Sequence, residues 1–281
     1  MFSWTDWHFH PDIIAGLLLF QGVYLLGVGP LRNRYGWADA VPIGKAAVFT
    51  IGTLTIYLAL SSPLHELSDN FLFSAHMVQH LLLVMLIPPL LIWGTPEWLL
   101  DPLFRSHPLV KTVARKILSP LWAFIIFSSI LVVWHYPALY DLALRQHGVH
   151  VLEHLLFMAA AVLMWWPVVG SLSEFPKPSY PVQIVYLFLL SLPPGFLGAA
   201  ITFSEETLYP WYGEVSRLWG ISVQTDQQIG GLIMKLLGAL IFLGVMIVVF
   251  FRWYNSEERD TQAYIVDNAG KPSIRSINES K

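Results

Sequence analysis

The chain of 281 residues is 55% hydrophobic and only 12% charged, far below the roughly 25% charged content of an ordinary soluble domain, so a soluble globular fold is excluded. Its 14% aromatic content includes 12 Trp, whose amphipathic rings anchor helices at the headgroup level of a bilayer. The formal net charge of −3 singles out no partner, nucleic acid is not expected as one, and the absence of Cys removes disulfides, thiolate ligands and Cys nucleophiles together.

A helix needs roughly 20 apolar residues to cross the hydrocarbon core. Seven stretches qualify, at 11–29, 43–61, 73–93, 119–137, 149–169, 181–203 and 229–252. The short alternating segments of a membrane β-barrel are missing. The first stretch has neither the basic leader nor the small-residue cleavage site of a secretory signal, so it is expected to stay as a span.

The basic residues set the expected orientation. Arg32, Arg34 and Lys45 follow the first span; Arg105, Lys111, Arg115 and Lys116 follow the third; Lys177 follows the fifth. Arg252, Arg259, Lys271, Arg275 and Lys281 follow the last. Only Arg145 and Arg217 fall on the other side, with Lys235 inside the seventh span. The positive-inside rule then predicts an all-α integral membrane protein, a bundle of seven transmembrane helices with its N-terminus outside and its C-terminus in the cytoplasm. Residues 1–254 read as the transmembrane domain and 255–281 as a polar, mobile cytoplasmic tail. The long outer connection at 204–228 mixes carboxylates with aromatics and is expected on the membrane surface. There is no internal repeat, soluble second domain or phosphate-binding loop.

On this topology nine of the ten His lie on the outer side, and only His107 is cytoplasmic. His8, His10, His65 and His147 read as partly solvated interfacial residues. Four others form two HxxxH pairs, His76/His80 in HMVQH and His150/His154 in HVLEH, at the starts of the third and fifth spans. Residues four apart share one helix face, about 6 Å apart along the axis. Two such pairs at one depth can face each other across a helix interface. The fourth span delivers His135, in WHYP, to the same level, and the seventh starts there with Asp226 and Gln227. Ionisable groups inside a membrane are costly and mark function. The expectation is a metal site on His76, His80, His150 and His154, with His135, Met77 and Asp226 as further ligands and Glu153 and Gln227 as supports for the ligands. The competing reading is a hydrogen-bonded His cluster that only ties helices together.

Imidazoles suit copper, zinc and haem iron, and copper(II) has the highest affinity among the divalent ions. Met77 and Met234 offer thioether sulfur for copper(I). Asp226, Gly230, Met234 and Gly238 share a helix face, and the default role of Asp226 is the N-cap of its own helix. The string His150–Val151–Leu152–Glu153–His154 also matches the HxxEH pattern of a zinc protease family, in which Glu activates water; a third ligand would come from His76 or His80. Pro88–Pro89 and Pro193–Pro194–Gly195 are expected to break or kink the third and sixth spans. Lys235 is expected to pair with a carboxylate such as Glu153 or to reach toward a polar cavity.

The block SPLHELSDNFLFSAHMVQHLLLVMLIPPLLIWGTP resembles the signature of the Bacillus-type CtaG proteins, assembly factors of caa3-type cytochrome c oxidase. WHYPALYDLAL, HVLEHLLFMAAAVLMWWPV, LYPWYG and DQQIGGLIMK follow in that family's order, and the likeness covers roughly residues 50–240. The matching positions include His65, His76, His80, His135, His150, Glu153, His154, Asp226 and Gln227. The resemblance implies a multi-pass protein of the bacterial plasma membrane needed to make an active haem-copper oxidase, with oxidase subunits and the lipid bilayer as its partners. It implies help in bringing copper to the enzyme and no catalytic residues. Three alternatives stay open: a b-type haem protein with His axial ligands, a zinc hydrolase using HxxEH, and a metal-free scaffold.

Overall fold

The computed structural model describes Ser3, Thr5, Trp7 and residues 11–170 and 172–268, with residues 103, 105, 106 and 263–268 described as backbone only. His8 and His10 lie outside the described residues. Among the described residues every regular element is helical. In chain order these are α1 (Pro11–Tyr35), α2 (Ile43–Ser61), α3 (Pro63–Asn70), α4 (Phe73–Gly94), α5 (Glu97–Ser106), α6 (Pro108–Ile117) and α7 (Pro120–Trp134). Then come α8 (Pro137–Arg145), α9 (His147–Val169), α10 (Tyr180–Phe203), α11 (Trp211–Glu214) and α12, which runs from Val223–Leu232 through a wide turn into Gly238–Asn268. Proline opens α1, α3, α6, α7 and α8, where its fixed φ suits the first turn and its missing N–H is no loss.

Six of these helices (α1, α2, α4, α9, α10 and α12) are long and apolar enough to cross a membrane. The expected fourth span is shorter than its apolar run suggests. Helix α7 has 15 residues, about 22 Å of rise, and meets the bar only together with α6, to which it is bent by 72°. Pro120 stops the pair from forming one straight rod. The chain is therefore a multi-pass membrane protein of six spans, or seven if α6 and α7 make one broken span.

Helices α4 and α9 are the centre of the bundle. Buried residues make up 61% of the apolar window of α4 and 50% of that of α9, against 17% for α1. Hence α4 and α9 can carry polar groups away from lipid. The main core joins α4, α7, α9, α10 and α12 through residues such as Phe73, Phe127, Phe157, Leu187 and Phe242. A smaller one joins α1, α2 and α4 through Tyr24, Phe49 and Leu83. Where α10 crosses α12, a Cβ on Gly198 would stand 2.7 Å from the Gly231 carbonyl oxygen, so only glycine permits that approach.

Neither proline pair breaks its helix. In α4 a π-helical turn at Leu82–Leu86 precedes Pro88, and the carbonyl that a residue at 88 would normally engage is that of Val84. The Trp165 indole of α9 donates to that oxygen at 2.9 Å, so the freed acceptor is satisfied within the protein, as the membrane interior requires. Helix α10 runs uninterrupted through Pro193 and Pro194. The last helix also continues past 254 to Asn268, where a mobile tail is expected. Contacts one turn apart support it, Trp253 to Glu257 at 3.0 Å and Arg259 to the Asn255 carbonyl at 3.1 Å; residues 269–281 lie outside the described residues.

Replacing Trp165 with Phe keeps the ring but removes the donor to Val84. A buried orphan acceptor costs about 1–3 kcal/mol, so W165F should unfold at lower temperature or denaturant in detergent; an unchanged midpoint would contradict this role.

Candidate metal centre

The two HxxxH pairs meet. His76 and His80 project from the first two turns of α4, and His150 and His154 from those of α9. Ring centroids are 4.3 Å apart within each pair. Across the interface His76 lies 5.8 Å from His150, and His80 lies 5.3 Å from His154. His76 is fully buried, while His80, His150 and His154 are each 7% exposed. Neither nitrogen of His76 has a hydrogen-bond partner, and the Nε2 atoms of His80, His150 and His154 have none either. Buried polar atoms are nearly always paired, so this concentration of orphans at one point is exceptional.

Two carboxylates flank the cluster. Glu153, 2% exposed on α9, sits 4.0 Å from His80 Nε2. It does not pair with Lys235, which is half-buried on α12 and makes no ion pair among the described residues. Asp69, at the end of α3, lies 3.3 Å from His150 Nδ1 and 3.5 Å from His65 Nδ1. Ligand atoms of Asp69, His76 and His150 all fall within 4.8 Å of one another, as do those of His76, His80 and Glu153. His65, expected to be interfacial, is held in the polar shell, 3.0 Å from Gln79 Nε2. Ser68 donates to the Gln79 oxygen at 2.7 Å and Gln79 donates to the Ala59 carbonyl at 2.9 Å, so α2, α3 and α4 are tied together beside the imidazoles. His147 remains exposed, 3.7 Å from Asp12, and His107 is exposed at the opposite end of the bundle, between α5 and α6.

His135, at the end of α7, joins the edge of the site. Its Nδ1 lies 2.8 Å from the Leu131 carbonyl and its Nε2 has no partner. A cavity of about 40 Å³ lies between it and His80, lined also by Met77, Met85, Met234 and Pro194. A water-sized site needs about 10–15 Å³, so an ion or a few waters fit. Met77 and Met234 thus converge on His80 and His135, one step below the four-histidine cluster.

Asp226 and Gln227 lie elsewhere. Ser222, not Asp226, caps its own helix. Asp226, 1% exposed, accepts from the Phe73 and Ser74 amides at 2.9 and 3.0 Å and from the Ser74 hydroxyl at 2.6 Å. It therefore caps the start of α4, a helix distant in sequence, and Arg217 donates to it at 3.2 Å. Gln227 accepts from the Leu208 amide at 2.8 Å and donates to the Glu206 carbonyl at 3.0 Å, so it fastens the preceding loop and orients no histidine.

That loop packs against the histidine end, where a membrane-surface position was the expectation. Tyr209 donates to the His135 carbonyl, Trp211 to the Asp69 carbonyl and Tyr212 to the Ser68 carbonyl, at 3.2, 2.6 and 2.8 Å. Burial raises the pKa of Tyr212 well above the ordinary phenol value, so it stays a donor. Arg145 holds Glu214 and Asp141 at 2.7 and 2.6 Å, and its contact keeps the Glu214 carboxyl below the usual range. Two phenols, an indole and an ion-pair clamp thus close the site from above. To one side a cavity of about 510 Å³ opens between α1, α2 and α9, with Asp12, His65, His147, His150 and His154 on its wall.

Sequence reasoning missed Asp69, Gln79 and the three lid aromatics. Asp69 had a signal, since it lies four residues after His65 on one face of a short helix.

The fold and site define a multi-pass helical membrane protein with a buried polyhistidine centre under an aromatic lid. The chain belongs to the cytochrome c oxidase caa3 assembly factor family, whose pattern matches residues 22–256. It is 27% identical over 277 residues to an uncharacterized protein of Mycobacterium bovis and to one of Mycobacterium tuberculosis. A third, from Mycobacterium leprae, is 24% identical over 276 residues. Each alignment covers 91% of this chain and 40% of the relative, so the chain spans under half the length of these curated relatives. No solved structure matches it.

Asp226→Asn tests the capping role. Losing one charge from three donors on α4 and one from Arg217 should cost at least about 1–3 kcal/mol and lower the unfolding temperature. An unfolding temperature equal to wild type would remove Asp226 from the scaffold that holds the site.

Proposed function

We propose that this protein serves the assembly of a haem-copper cytochrome c oxidase by holding copper between α4 and α9 and releasing it to an oxidase subunit. The observation that carries the reading is the set of buried, unpartnered imidazole nitrogens on His76, His80, His150 and His154. Neutral imidazole is a good copper ligand, and thioether sulfur of the kind Met77 and Met234 bring to the adjoining cavity suits copper(I). Without thiolates, the ligand set binds less tightly than a Cys site, which favours transfer by ligand exchange. Family membership supplies the oxidase as the destination.

Among the described residues ten of the 13 Lys and Arg lie at the end of the bundle opposite the histidines, which by the positive-inside rule supports a centre that faces outward across the plasma membrane. The oxidase subunit takes copper there, under the loop carrying Trp211 and Tyr212. Five of the six ring pairs among the four histidines stand 4.3 to 6.4 Å apart, a convergent set of donors of the kind a small ion takes. Glu153 orients His80 and balances charge in this scheme, and no step of it is hydrolytic.

Copper per chain, measured by elemental mass spectrometry on detergent-purified protein, tests the proposal. Wild type should carry near-stoichiometric copper, and His76→Ala/His154→Ala should lose most of it while keeping its helical spectrum. Wild-type copper content in the double variant would end the copper reading.

A further inference from the structure

We propose that the histidine cluster is a two-cation site: an outer ion held by Asp69, His150 and His76, and an inner ion held by His76, His80 and Glu153, with His76 shared. This rests on the copper reading above and extends it to stoichiometry and order of exchange. The two ligand sets come straight from the geometry, since each lies within 4.8 Å and His76 alone belongs to both. Neither nitrogen of that imidazole has a protein partner, so when the second ion binds and the ring N–H proton is released to solvent, the resulting imidazolate offers one nitrogen to each ion. His154, 5.3 Å from His80 and 4.3 Å from His150 between ring centroids, stands ready as a fourth ligand. A four-coordinate ion with bonds of about 2.1 Å sets its donors roughly 3.4 Å apart, a closure that ring rotation supplies.

Charge argues for two ions over one. Each set contains one carboxylate and two imidazoles, and neither set contains both carboxylates. A single ion in the outer set would leave Glu153, 2% exposed, beside neutral rings with no cation, and a single ion in the inner set would use neither Asp69 nor His150. Ionic groups at membrane depth are held in pairs, and one cation per carboxylate satisfies that rule in both sets. The repeat follows from the sequence: HxxxH on two facing helices produces two layers one turn apart, and Asp69 and Glu153 each serve one.

The layers differ in access. The Asp69 side chain is 20% exposed, and His150 lines the open cavity that also carries His65, His147 and Asp12. Glu153 is closed off, at 2%. Copper therefore enters and leaves by the outer layer, and the inner ion exchanges through it.

The test loads full-length protein in mild detergent with cupric ion, removes excess by gel filtration, and counts copper by elemental mass spectrometry. Wild type should hold two per chain, and Asp69→Asn and Glu153→Gln one each. Chelator should strip wild-type copper in two phases, and Glu153→Gln should lose its single copper in the fast phase only. Electron paramagnetic resonance on the wild type is independent of any variant and should show a spin-coupled cupric pair. One copper in wild type, or two with an uncoupled spectrum, would overturn the two-cation site while leaving copper binding intact. No copper at all would overturn both.

Discussion

Placing imidazole nitrogens inside a helical bundle without protein partners is the constraint on which the rest of this structure depends. Six such nitrogens lie on His76, His80, His135, His150 and His154. At about 1–3 kcal/mol for each unsatisfied buried group, their combined cost is on the order of the whole stability of a typical folded domain. A cost of that size calls for a compensating interaction. On the proposed reading a cation supplies it, and the same nitrogens that are costly to bury become the source of its affinity.

The surroundings are organised around that centre. Asp226 fixes the start of α4 from α12, which sets the height and rotation of His76 and His80. The shell of His65, Ser68 and Gln79 ties α2 and α3 to the same helix. Trp165 satisfies the carbonyl that Pro88 leaves open, so α4 stays helical below the site. Tyr209, Trp211 and Tyr212 are bonded to the backbone of His135, Asp69 and Ser68, which couples lid position to the helix ends that carry the ligands. On the proposed reading those bonds link access from the outer face to the residues that hold the ion.

Much of this was legible in the sequence because membrane insertion and helical periodicity are strong local signals. Apolar runs marked the spans, and the four-residue spacing of the histidines marked the face they share. The failures came where tertiary context overrode a local rule. Pro88 reads as a break because its rescuer, Trp165, is 77 positions away in the chain. Asp226 reads as its own helix cap because Ser222, four residues earlier, takes that role and frees it for α4. The 204–228 loop reads as amphipathic surface because Tyr209, Trp211 and Tyr212 donate to backbone carbonyls of distant residues, which leave no mark in a sequence. Asp69 was within reach as the i+4 neighbour of His65 but was passed over among the polar residues of α3.

The most direct test of the central claim is copper-edge X-ray absorption on the metal-loaded, full-length protein. The account predicts a first shell dominated by imidazole nitrogens at about 2.0 Å, with the outer-ring scattering that distinguishes histidine from water. A shell of water oxygens or of sulfur, without histidine scattering, would contradict it.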